Sequence, residues 1–213
     1  GADGRQLDGE FTGASTISGD GVQGGDLVFF SKRPTEFVAR FTSISGIIDV
    51  TLFRDRTPLT VQNFLTYANR GVWDLTFIHR SVSGFVIQGG GFSAQGTNNY
   101  PRITQDAPVL NEPGISNLRG TIAMAKLGGD PNSATNEWFF SLGNNASNLD
   151  NQNGGFTVFG EVRASAGLSV MDALAAFQVV NAQSVNGAFN EIPVVDRNVV
   201  ISRPGSLTLL TTD

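Results

Sequence analysis

Phe77-Ile78-His79-Arg80-Ser81-Val82-Ser83-Gly84-Phe85-Val86-Ile87-Gln88-Gly89-Gly90-Gly91-Phe92 carries more side-chain chemistry than any other run of its length in this chain. His79 is the only histidine. Arg80 follows it inside an otherwise apolar β-like run, where an unpaired charge is costly. Ser83-Gly84 can join two short strands, at about 76–81 and 84–88. Such a hairpin is expected to bring Arg80, Phe85 and Gln88 near one another, while successive side chains along each strand alternate between faces. A cation, an aromatic ring and an amide on one sheet surface look more like a site than a core. The same alternation points His79 away from the face of Arg80, as a buried structural histidine. The three glycines after Gln88 let the backbone turn or approach another group closely.

Working outward, residues 120–125 read Gly-Thr-Ile-Ala-Met-Ala, and residues 133–140 read Ser-Ala-Thr-Asn-Glu-Trp-Phe-Phe. Leu149-Asp150 follows, then Gly-Phe-Thr-Val-Phe-Gly-Glu-Val over residues 155–162. Together with the opening run, these motifs resemble the cyclophilin-type peptidyl-prolyl isomerases, in order and in spacing. Ile78 is an extra residue between Phe77 and His79, and Ser83 stands where the family usually has proline. The resemblance covers about residues 45 to 195.

It implies a mainly β fold: a closed, eight-stranded antiparallel β-barrel capped by two α-helices. It implies an enzyme that rotates X-Pro bonds and assists protein folding, with no cofactor and no metal. The partners it implies are proline-containing peptides or unfolded polypeptides. Catalysis is assigned to Arg80, with Gln88 orienting the guanidinium and bonding substrate. Phe85, Met124, Phe139 and Leu149 match the apolar proline pocket, with Val86, Ala125 and Phe156 beside them. Phe156 stands where many relatives have histidine or tyrosine. Lys126 and Glu137 occupy groove positions where many relatives carry neutral amides; the two charges are read either as independent changes on a wet rim or as a compensating ion pair expected across the groove.

The residues read by themselves agree with that chemistry. The absence of cysteine excludes disulfides, thiolate zinc sites and cysteine nucleophiles. No Lys-Ser or Lys-Thr follows the triglycine run, so it is not a phosphate loop, and no G-x-S-x-G elbow occurs. A formal charge of −5 argues against nonspecific nucleic-acid binding. No apolar run approaches the ~20 residues of a membrane span.

A chain of 213 residues, 40% hydrophobic, suits one domain with an extension. Residues 1–44 read as a glycine-rich extension with an added strand at 27–30, residues 45–202 as the isomerase domain and 203–213 as a tail. Apolar alternation over 37–53, broken at Gly46, predicts a hairpin. Thr57-Pro58 starts a helix over about 58–70, with Val61, Phe64, Leu65 and Ala68 inward and Gly71 closing it. Strands are expected near 120–125, 137–142 and 156–162, a short helix near 167–177, and one or two closing strands ending at 199–201. The long connection over 89–119 is expected to be functional or locally ordered.

The segments 111–117 and 133–135 look more like bacterial members, and together with the glycine-rich lead they suggest a bacterial exported protein, periplasmic or extracellular, with the cytoplasm left open. A monomer is expected. A different class remains open as well: a module or chaperone that grips proline segments with little turnover. Arg80, Phe85 and Gln88 together favour the enzyme.

Overall fold

The alternation between Phe37 and Leu52 builds two antiparallel strands, β1 (Phe37–Ser43) and β2 (Gly46–Leu52), with Ser43 opposite Gly46 at the turn. In the computed structural model the described residues are 37–95, 99–194 and the backbone of 206–211. All fall in the unit Glu36–Thr212. The strand expected at 27–30 and the strand end expected at 199–201 lie outside them.

The central run forms β3 (Arg80–Val82) and β4 (Val86–Gly89), turning at Gly84, whose φ is +70°. Downstream come β5 (Thr121–Met124), β6 (Trp138–Ser141) and β7 (Val158–Val162). Among the described residues, β8 (Gln178–Val180) and β9 (Ile192–Val194) pair only with each other. β10 (Ser206–Thr211), in the segment read as a tail, pairs with β1. The main sheet is antiparallel throughout, in the order β10-β1-β2-β7-β5-β6-β4-β3. It therefore extends on both sides of the 45–202 span. The resemblance implies a closed barrel, but among the described residues no ladder joins β10 to β3. The outer edge of β3 is met by an irregular segment: Ser81 N–H donates to the Glu191 carbonyl at 2.8 Å.

Helix α1 (Pro58–Asn69) follows the expected span, with proline in its first turn, and buries Thr60, Val61, Phe64 and Tyr67. Leu65 and Ala68 are only partly buried. Thr57 takes the N-cap position but makes no side-chain cap; its Oγ1 donates to the Phe53 carbonyl. The free N–H groups of the first turn are satisfied from far away. Leu59 N and Thr60 N donate to the two carboxylate oxygens of Glu112, at 3.1 and 2.8 Å. A carboxylate there also suits the positive end of the helix. The short helix expected near 167–177 begins earlier, as α3 (Ser165–Ala175), and a four-residue α2 (Ala146–Leu149) lies in the asparagine-rich loop. Among the described residues no helix is long and apolar enough to cross a membrane.

The long connection is stitched down by side chains. Besides Glu112 on α1, Asn111 donates to the Gly154 and Gly155 carbonyls, and Arg70 pairs with Asp106. The main core holds Phe41, Phe64, Trp73, Trp138, Phe140 and Phe159 on one face of the sheet. A smaller cluster gathers Phe77, Phe92, Phe189, Ile192 and Val194 beside β9. Phe77 enters that cluster while the extra residue, Ile78, packs on the main core.

Candidate active site

Register builds the site. Arg80 lies opposite Gln88, Gln88 opposite Phe139, Phe139 opposite Ala123, and Ala123 opposite Val158. Directly opposed residues of antiparallel strands point to the same face. One row thus carries a cation, an amide, an aromatic ring and two aliphatic groups. The next row, through Ile87, Phe140 and Ile122, points the other way into the main core.

A separate apolar cluster grows around the first row. Val86, Ala123, Phe139, Leu149 and Val158 are buried in it, and Phe85, Ala125 and Phe156 are partly buried at its margin. Phe139 and Phe156 meet edge to face at 5.8 Å. The structure therefore brings together Phe85, Val86, Ala125, Phe139, Leu149 and Phe156. It does not bring Met124 with them. Met124 is in the main core at 1% exposure, since alternation along β5 turns it opposite to Ala123.

Glu137 is the polar hub. Gln88 Nε2 donates to its Oε2 at 2.8 Å, Arg102 Nη1 to its Oε1 at 3.0 Å, and His79 Nε2 stands 3.4 Å from Oε2. Gly91 makes room for it: a Cβ there would come within 2.7 Å of Glu137 Oε1. Burial pushes the Glu137 carboxyl upward, but the His79 hydrogen bond and charge, Gln88 and Arg102 outweigh it, and the net pKa lies below the ordinary value. His79 is buried, with its ring 5.0 Å from that of Phe92, yet it still reaches the site through this carboxylate.

The expected pair across the groove does not form. Lys126 Nζ donates to the carbonyls of Asn153 and Gly155, at 2.9 and 2.6 Å, and lies 4.7 Å from the centre of the Phe156 ring. Three backbone or ring partners hold it, while Glu137 is already satisfied by others. Burial lowers the Lys126 pKa, and Asp130 partly offsets this. Gln88, expected to orient Arg80, gives its amide to Glu137 instead. Arg80 Nε donates to Glu191 Oε2 at 2.9 Å. A cavity of about 610 Å³ opens beside the row, between Gln88, Arg102, Gln105, Ala125, Lys126 and Glu137. Among the described residues no group of three histidine or acidic side chains could hold a metal ion. What the arrangement offers is a cation at the rim of an apolar pocket, able to favour a dipole that develops there.

The model of one family, described as cyclophilin type peptidyl-prolyl cis-trans isomerase, matches residues 38–201. The chain belongs to the cyclophilin family. Similar curated cyclophilins include peptidyl-prolyl cis-trans isomerase A of Dickeya dadantii, 35% identical over 156 residues, which are 71% of this chain and 76% of that one. Peptidyl-prolyl cis-trans isomerase B of Escherichia coli is 38% identical over 143 residues, 63% of this chain and 81% of the relative. Among solved structures, a cyclophilin type isomerase of Cryptosporidium parvum superposes with a TM-score of 0.60 at 20% identity, covering 84% of this chain and 99% of its own. The same fold was solved in the presence of the dipeptide Ala-Pro. Two residues of this cyclophilin's site escape sequence reading, Arg102 and Glu191. Each meets its partner across 35 or 111 residues of chain, and neither sits in a motif.

Proposed function

We propose that this cyclophilin is a peptidyl-prolyl cis-trans isomerase acting on X-Pro bonds of exposed or unfolded segments. The observation that carries the reading is the row Arg80–Gln88–Phe139–Ala123 on one face, a guanidinium beside an apolar pocket. The names of the bacterial relatives support it. Amide resonance opposes rotation with a barrier of about 18–20 kcal/mol. As the bond twists, the proline nitrogen pyramidalises and gains a lone pair that the planar amide lacks. The Arg80 guanidinium can donate to that nitrogen only in the twisted state, so its binding is differential. A charge-assisted hydrogen bond of roughly 1.5–3 kcal/mol corresponds to about ten- to hundredfold in rate. Phe139, Val86, Leu149 and Phe156 hold the proline ring by burial, which fixes the bond against the cation. No covalent step or proton transfer is required of the protein.

The reading extends to help in protein folding, to a monomer exported by a bacterium, and to closure of the sheet into a barrel in line with the family. Its test is a protease-coupled assay on a panel of X-Pro tetrapeptides. Acceleration above the uncatalysed exchange, which takes tens to hundreds of seconds, is expected. Saturable peptide binding without acceleration would make the protein a binding module instead.

A further inference from the structure

Resting on the isomerase reading above, we propose that Glu191 is the residue that positions Arg80. Arg80 Nε donates to Glu191 Oε2 at 2.9 Å, and the two side chains are 33% and 35% exposed. The residue opposite Arg80 in the ladder, Gln88, is engaged by Glu137. Among the described residues the terminal amino groups of Arg80 make no other hydrogen bond. A guanidinium is planar. A bond to Nε therefore fixes its plane and leaves both Nη groups to face a substrate.

The carboxylate is itself held in place. The Glu191 carbonyl accepts from the N–H of Ser81, the residue next to Arg80, at 2.8 Å. Glu191 also leads directly into β9, where Ile192 and Val194 are buried with Phe189 against Phe77 and Phe92. The small second core thus acts on the site: it carries one carboxylate to the open edge of β3. An Arg80 without it would keep its charge but sample many rotamers, and misplacement of a reacting group is costly. The main-chain bond to Ser81 does not depend on the Glu191 side chain, so substitutions there leave the strand edge covered.

The test is a double-mutant cycle on one X-Pro peptide, with circular dichroism on each protein. Glu191→Ala is expected to lower kcat roughly three- to tenfold with little change in KM, a loss smaller than that of Arg80→Ala. Glu191→Gln, which keeps an oxygen to accept from Nε, should recover much of it. In the Arg80→Ala background, Glu191→Ala should have no further effect. The Arg80 Nε–H signal in the NMR spectrum gives a readout apart from activity, and should shift and exchange faster in Glu191→Ala. Equal losses in both backgrounds, no loss, or a rise in kcat as the arginine is freed would each overturn the proposal. If wild type and Arg80→Ala accelerate the exchange equally, the role of Arg80 fails and the proposal falls with it; if wild type gives no acceleration at all, it is the isomerase reading that fails.

Discussion

Glu137 decides how charge is arranged at the site, and its behaviour with pH is testable. Its carboxyl titrates below the ordinary value of 4.5. A depressed acid contributes stability that is present above the unfolded pKa and is lost as pH falls through the folded one. Glu137→Gln should therefore lower the melting temperature by a constant amount from neutral pH down to about 4.5, and the gap to wild type should close below that. A gap that stays open in acid would show that the charge is not what matters. Phe139→Ala tests the pocket. Phe139 is 4% exposed, so the change should cost about 3–5 kcal/mol of stability. It should also raise KM for peptide by more than the folded fraction explains, as read in a peptide titration well below the melting temperature. Arg80 and Gln88 were legible in sequence because the hairpin and the motif both bring them together, and Val86, Ala125 and Phe139 because the motif alone put them beside the pocket. Met124 was not, since motif likeness alone put it in the pocket while alternation from Ala123 and Ala125 sends it to the core. The partners of Arg80 and Lys126 were not legible either, because each is chosen by tertiary approach and not by spacing.

At the scale of elements, α1 was readable from Thr57-Pro58 and its apolar stripe, but its cap was not. A threonine before a proline satisfies the sequence signal, yet the N–H groups go to Glu112 in the long connection. Glu112→Ala should cost about 1 kcal/mol, as lost caps do. Turnover per folded molecule should stay the same, because Glu112 bonds the helix and not the site. Denaturant midpoints and kcat on one peptide would check both halves. The central hairpin was legible from Ser83-Gly84, whereas β10 was not, because a strand that among the described residues pairs with β1 alone carries no signal beyond its own few apolar residues.

For the whole molecule, the site residues named above all lie between His79 and Glu191. Deleting residues 1–25 should thus leave kcat/KM on a short peptide unchanged, and a marked loss would place part of the extension at the active face. The central claim is that one guanidinium favours the twisted X-Pro bond over the planar one. The most direct measurement is kcat/KM for Arg80→Ala in the protease-coupled assay, with circular dichroism and melting temperature alongside. The account predicts a fall of about ten- to hundredfold in a protein that folds as wild type, with Arg80→Lys recovering only part because an ammonium lacks the planar fork. An unchanged kcat/KM in a correctly folded Arg80→Ala protein would contradict it.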